Sequence, residues 1–208
     1  MPNIIDHDQY RKEILTQCFD LFAEKGYGSV TIRQIARDLK ISTGTLYHYF
    51  PSKAALFEQL VEELSQQDIL MATAKLKQAA SLTAKMRALG EFLARNEERL
   101  NKQICIWVDF CKYQDREVLR HSQVFQRINE RYEQAIADLL GITDPTIAGF
   151  ILTSIDGILL ERLWGNQQVS FTQQIDLLGR MLSAYLELQP KGDQSTINPL
   201  LKSSTDED

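Results

Sequence analysis

The sequence predicts an all-α fold, and three observations predict it. Proline is confined to Pro2, Pro51, Pro145, Pro190 and Pro199, all readable as element boundaries; within a helix each would remove a backbone hydrogen bond and clash with the preceding turn. No stretch sustains the period-two alternation of a half-buried strand, and the β-branched run Val30-Thr31-Ile32 is short and leads straight into a helical pattern. Capping residues recur just ahead of stretches whose apolar residues are spaced by three and four.

Taken in order, Leu15, Cys18, Phe19 and Phe22 fall on one face of a first helix over about 8–25, closed by Gly26-Tyr27-Gly28. Thr31 and Gln34 have the spacing of a capping box, so a second helix starts at Ile32 and buries Ile32, Ile35, Ala36 and Leu39. Ser42 or Thr43 caps a short third helix ending near Phe50. Pro51 breaks it, and Ser52 caps a longer fourth helix with Ala54, Phe57, Leu60, Val61 and Leu64 inside. Amphipathic stretches follow from about Leu82 to Leu140, with breaks expected near Lys102 and Asp115. Gly141 stops one helix, and Asp144 caps the next with Pro145 in its first position. That helix runs to about Trp164, and Ser170-Phe171-Thr172-Gln173 opens a last one to about Leu188. The polar tail 189–208 reads as disordered.

Composition narrows the class. A chain of 208 residues with 44% hydrophobic and 25% charged residues fits a globular protein and excludes collagenous or disulfide-scaffold chains. No run reaches the roughly 18 apolar residues of a membrane helix, so no membrane partner is expected. Residues 1–8 lack the pattern of a signal peptide. Cys18, Cys105 and Cys111 are an odd set at spacings that suit reduced thiols, which argues for the cytoplasm. Net charge is −5, on its face evidence against nucleic acid. The acidic excess lies after residue 60, however, and over 31–57 Arg33, Arg37, Lys40 and Lys53 outweigh Asp38 to leave +3.

That same segment carries the chemistry. Two short helices about four residues apart fit a helix-turn-helix, whose second helix enters the DNA major groove. Leu46 and Phe50 suffice to seat that helix, which leaves Thr43, Gly44, Thr45, Tyr47, His48 and Tyr49 to face outward. Hydroxyls bond phosphates or base edges, and a threonine methyl can meet a thymine methyl. Gly44 lets the backbone approach a strand. Thr31 and Arg33 join the candidate contacts, and Lys53 adds a positive charge beside helix-terminal amides suited to a phosphate.

Residues 8–57 resemble the DNA-binding region of the tetracycline-repressor (TetR) family of bacterial transcriptional regulators. The matching pieces are the apolar face through Phe22, Glu24-Lys25-Gly26-Tyr27, Val30-Thr31-Ile32, Ile35-Ala36, Gly44 through Phe50, and Ser52 through Phe57. The resemblance implies a helix-turn-helix DNA-binding domain over 8–52 and a helical ligand-binding and dimerisation domain over 53–188. It implies a homodimer on double-stranded, near-palindromic operator DNA, with a small-molecule effector of unknown identity. Apolar stripes through Ile151, Ile155 and Leu159, and through Leu178, Met181, Leu182 and Tyr185, are the expected dimer interface. Trp107, Phe110, Cys111, Phe125 and Tyr132 are the candidate ligand contacts.

Other chemistries find little purchase. His7, His48 and His121 are scattered without a second ligand at helical spacing, so no metal and no cofactor is expected. No nucleophile elbow or phosphate loop occurs, and no catalytic residue is assigned. The expected function is a ligand-responsive transcriptional regulator, a repressor rather than an enzyme; the alternative is a small-molecule-binding helical protein or enzyme that has lost operator recognition.

Overall fold

Asp6 opens the chain's first helix by accepting from the backbone N–H groups of Asp8 and Gln9, both at 3.1 Å. From there a computed structural model describes residues 6–188, and among them it has no β-strand. The elements are α1 (His7–Lys25), α2 (Ile32–Asp38), α3 (Thr43–Tyr49), α4 (Lys53–Leu76), α5 (Leu82–Arg95), α6 (Glu97–Lys112), α7 (Arg116–Arg120), α8 (Gln123–Leu140), α9 (Pro145–Leu163) and α10 (Phe171–Leu188). The fold is all-α with an N-terminal helix-turn-helix. No helix among the described residues is long and apolar enough to cross a membrane. The expected tail lies outside the described residues.

The caps account for most boundaries. Thr31 and Gln34 make both arms of the capping box, Ser42 receives the Thr45 N–H at 2.9 Å, and Ser52 receives that of Ala55 at 3.0 Å. Asp144 caps α9 ahead of Pro145. The Ser170 hydroxyl receives the Gln173 N–H at 3.5 Å and pairs with Thr172 Oγ1 at 3.0 Å. One boundary needs correction. The break expected near Lys102 falls at Asn96, and Lys102 lies inside α6. Asn96 ends α5 by donating its side-chain amide to the Phe92 carbonyl at 2.8 Å, and Glu97 and Glu98 then fill the acid-favouring first turn of α6.

Two compact units divide the described chain, one of residues 6–67 and 102–128, the other of 68–101 and 129–188. The first buries Ile14, Leu15, Cys18 and Phe22 of α1 with Ile35, Leu46, Phe50, Phe57 and Val61. Burial pushes the Cys18 thiol up to about 12, which leaves it protonated and inert.

In the second unit α5 and α10 run antiparallel: Thr83 meets Ser183, Met86 meets Gly179, and Gly90 meets Phe171 to Ile175. Both glycines exist for closeness. A Cβ on Gly90 would stand 3.2 Å from the Thr172 Cα and 3.3 Å from the Phe171 carbonyl oxygen, neither of which can swing away. Arg162 braces the same unit, holding the Glu97 carboxylate with two bonds of 2.6 and 2.8 Å and donating to the Val169 carbonyl at 2.6 Å. Replacing Gly90 by Leu should therefore lower stability by about 1–3 kcal/mol through overpacking, measurable as a shifted urea midpoint. An unshifted midpoint would show that α5 and α10 can part at no cost.

Candidate nucleic-acid interface

The reading surface is built on α2 and α3. Ile35 and Ala36 of α2 are buried, while Ile32 and Leu39, expected inside, are only partly covered. The turn after α2 is made by Lys40, whose φ of 56° is left-handed. Its N–H donates to the Arg37 carbonyl at 3.1 Å, and the Ile41 N–H to that of Ala36 at 2.9 Å. These are the two bonds that close a helix and redirect the chain, a position where glycine is the unstrained choice. Asp38 ties the turn down, accepting from Lys25 at 2.7 Å and Arg37 at 3.2 Å. Those hydrogen bonds hold its carboxyl below the usual range, so the tie is present at neutral pH and is lost as acid protonates Asp38.

On α3, Leu46 and Phe50 are fully buried, and Thr43, Gly44, Tyr47 and His48 are exposed. Tyr47 keeps 53% of its surface open, a large aromatic exposed to solvent among the described residues. Thr45 is partly covered, its hydroxyl sharing a hydrogen bond of 2.8 Å with Ser42. Tyr49 is partly covered too, and its hydroxyl meets His7 Nδ1 at 2.7 Å. Thr31 and Arg33 are exposed, though the Thr31 hydroxyl is occupied by Gln34.

Lys53 is placed otherwise than a free phosphate ligand would be. Its ammonium donates to the carbonyls of Tyr27 at 2.9 Å and Val30 at 2.8 Å, and stands 4.1 Å from the Tyr27 ring centroid. Burial pulls its pKa down. Two of its three donors are thus spent on the fold. The sequence could not show this because the carbonyls that attract it lie more than twenty residues away.

Above this lysine sits an aromatic stack. Phe57 lies parallel to Phe110 at 4.2 Å, and Tyr27 meets Phe110 edge-on at 4.9 Å. Phe125 touches both Trp107 and Phe110, at 5.7 and 5.9 Å. Three of the five ligand candidates are thereby brought together, and through Phe110 they pack against the α1–α2 turn and α4. The other two are not: Cys111 is exposed, and Tyr132 belongs to the second unit. There the Tyr132 hydroxyl donates to Asp68 at 2.9 Å, and Asp68 also pairs with Arg99. Close by Trp107, one turn back on α6, Gln103 is buried. Its Nε2 and the Trp107 Nε1 have no hydrogen-bond partner among the described residues. An open groove of about 400 Å³ in the second unit, lined by residues including Glu130, Glu133, Asp138 and Ala148, contains none of the five.

With that geometry in hand, likeness to known proteins is decisive for the N-terminal region. Residues 14–60 match the family described as "Bacterial regulatory proteins, tetR family". The N-terminal region belongs to the tetR family. It is 51% identical over 45 residues to the uncharacterized HTH-type transcriptional regulator YuxN of Bacillus subtilis, a stretch covering 22% of this chain and 16% of YuxN. Similarity to the nucleoid occlusion factor SlmA of Escherichia coli is longer and weaker: 27% identity over 188 residues, 85% of this chain and 95% of SlmA. The solved structure of FadR from Bacillus subtilis in complex with stearoyl-CoA has a TM-score of 0.65 at 20% identity, covering 82% of this chain and 96% of that one. That likeness shows a shared fold.

The tetR-family region has features that sequence reasoning missed. Asp109 of α6 accepts from the Gly28 N–H at 3.2 Å, and a Cβ on Gly28 would collide with the Tyr113 ring. Neither contact has a local signal: 81 positions separate Gly28 from Asp109, and Tyr113 lies further on still. The expected dimer stripes also divide in an unforeseen way. Ile151, Ile155, Leu159, Leu178 and Leu182 are buried within the single chain and are not available to a partner. Met181 and Tyr185 are exposed, in line with Leu177 and Leu188 on α10. A stripe wide enough for two jobs looks the same in sequence whichever edge faces inward. Lys53→Met should cost about 1–3 kcal/mol of stability, the worth of hydrogen bonds from a charged donor. Thermal unfolding checks it: a melt equal to wild type would return Lys53 to a purely surface role. Lys40→Gly should raise stability by up to about 1 kcal/mol by relieving the left-handed strain, read as a higher midpoint in the same assay.

Proposed function

We propose that this chain is a DNA-binding transcriptional regulator that docks α3 in the major groove, acts as a homodimer on a near-palindromic operator, and is released by a small molecule. The observation that carries the DNA reading is the outer face of α3. Of the seven residues of this helix only Leu46 is fully buried, and Tyr47 stands open beside Thr43, Gly44 and His48. Small, hydroxylated and aromatic residues on a rigid exposed helix suit base edges and phosphates better than they suit water.

A two-fold axis follows from half-sites about 34–36 Å apart. The exposed α10 stripe of Leu177, Met181, Tyr185 and Leu188, with Phe150 of α9, supports a helical interface between subunits. For the effector, the unpaired donors Gln103 Nε2 and Trp107 Nε1 suit a molecule that carries an acceptor on an apolar body. Such a molecule against Trp107 and Phe125 would press through Phe110 on Phe57 and Tyr27, and so on the start of α4 and the α1–α2 turn. FadR, of the same fold, was solved with stearoyl-CoA, which supports an effector of this general kind.

Selection of fragments of the source genome by the full chain, followed by anisotropy titration of the retained promoter, tests the reading. Tyr47→Ala should weaken binding about tenfold to a hundredfold with its melt unchanged; retention of wild-type affinity would remove α3 from the interface. Because the local charge is only +3, the logarithmic salt dependence should be shallow, at about −0.9 for each phosphate neutralised. Met181→Asp should shift the sedimentation profile toward monomer and weaken operator binding with it.

A further inference from the structure

We propose that His7, the first residue of α1, belongs to the DNA-reading surface and sets which atom of Tyr49 is offered to the nucleic acid. The proposal rests on the reading of α3 given above. His7 Nδ1 meets the Tyr49 hydroxyl at 2.7 Å across 42 positions of sequence. Its ring lies 6.0 Å from that of Tyr49 and 6.3 Å from that of His48. Tyr10, one turn further along α1, meets Tyr49 edge-on at 5.6 Å, and His48 does so at 5.1 Å from within α3. The start of α1 is therefore fastened to the second half of α3, and His7 and His48 are both exposed. The capping of α1 does not need His7, since Asp6 already receives the N–H groups of Asp8 and Gln9.

The chemistry gives this contact a direction. In neutral His7, with Nδ1 unprotonated, that nitrogen accepts the Tyr49 O–H, and the phenol proton is spent inside the protein. Once His7 is protonated, both ring nitrogens are donors. Nδ1–H then donates to the Tyr49 oxygen, the phenol proton is freed for a phosphate or base acceptor, and the exposed ring carries a positive charge. Among the described residues, the titratable groups nearest this ring are Asp6 at the N-cap, Asp8 and Tyr10 on α1, and His48 and Tyr49 on α3. Asp6 is engaged by backbone N–H groups, and His48 is the second imidazole beside this ring.

The test is anisotropy titration of the full-length chain against the promoter fragment it retains, at about pH 6 and about pH 8 and fixed ionic strength. Wild type should bind about three- to tenfold more tightly at the lower pH. His7→Gln, which can still meet the Tyr49 hydroxyl but cannot titrate, should match wild type at the higher pH and lose most of the gain at the lower. His48→Gln should keep the larger part of that gain. In a Tyr49→Phe background, His7→Gln should change little, because the group it positions is gone. A pH gain unchanged in His7→Gln, or equal effects of that substitution with and without the Tyr49 hydroxyl, overturns the proposal while Tyr47→Ala still weakens binding. Failure of wild type to retain any DNA overturns the regulator reading itself, and this proposal falls with it.

Discussion

The ammonium of Lys53 donates to the carbonyls of Tyr27 and Val30 while standing over the Tyr27 ring, and so joins α4 to both ends of a loop more than twenty residues earlier. The α1–α2 turn, the entry to α2 and the first turn of α4 converge on one charge. A compact ammonium with three rotatable donors can satisfy two backbone oxygens that point differently, which no planar or neutral side chain does as well. Tyr27, held there, becomes the floor for Phe110, and Phe110 in turn stacks on Phe57. The helix-turn-helix is thereby fixed to α4 and α6 by side chains rather than by the two-residue link Pro51-Ser52 alone.

That fixation explains how α3 can leave so much of itself bare. A seven-residue helix has little stability of its own. Here Leu46 and Phe50 bury completely, Ser42 caps the first turn, and the left-handed Lys40 turn sets its angle to α2. Thr43, Gly44, Tyr47 and His48 are released from packing duties and can be chosen for what they touch outside. Part of the local positive charge is diverted as well. Asp38 holds both Lys25 and Arg37, so the field near α3 is softer than the residue count suggests.

Local signals were legible in the sequence, and distant ones were not. Thr31 with Gln34, Ser42, Ser52, and Asp144 with Pro145 announced helix starts because a cap and its partner lie within four residues. Leu46 and Phe50 announced the inward face of α3 by spacing alone. The Asn96 break went unseen because an asparagine between good helix formers carries no proline or glycine to mark it. The outer residues of α3 were identifiable by their oddity on a surface. The roles of Lys53, Asp109 and His7 were not, because each is defined by a partner on another element. The α10 stripe shows the same limit in a different form: periodicity found Leu178, Met181, Leu182 and Tyr185 together, and only three-dimensional packing separated the buried pair from the exposed one.

The seat of α6 on the α1–α2 turn has a consequence for how easily the two can part. It consists of one hydrogen bond from Gly28 to Asp109, the Tyr113 ring laid against a backbone without a side chain, and the edge contact of Tyr27 with Phe110. A bond to a carboxylate contributes about 1.5–3 kcal/mol and an aromatic pair about 0.5–1.5 kcal/mol. No secondary structure has to melt for these to separate. These direct contacts therefore amount to a few kcal/mol, a scale that a single substitution can remove. A side chain at position 28 would occupy the space of the Tyr113 ring, so Gly28 is what lets α6 sit this close to the turn.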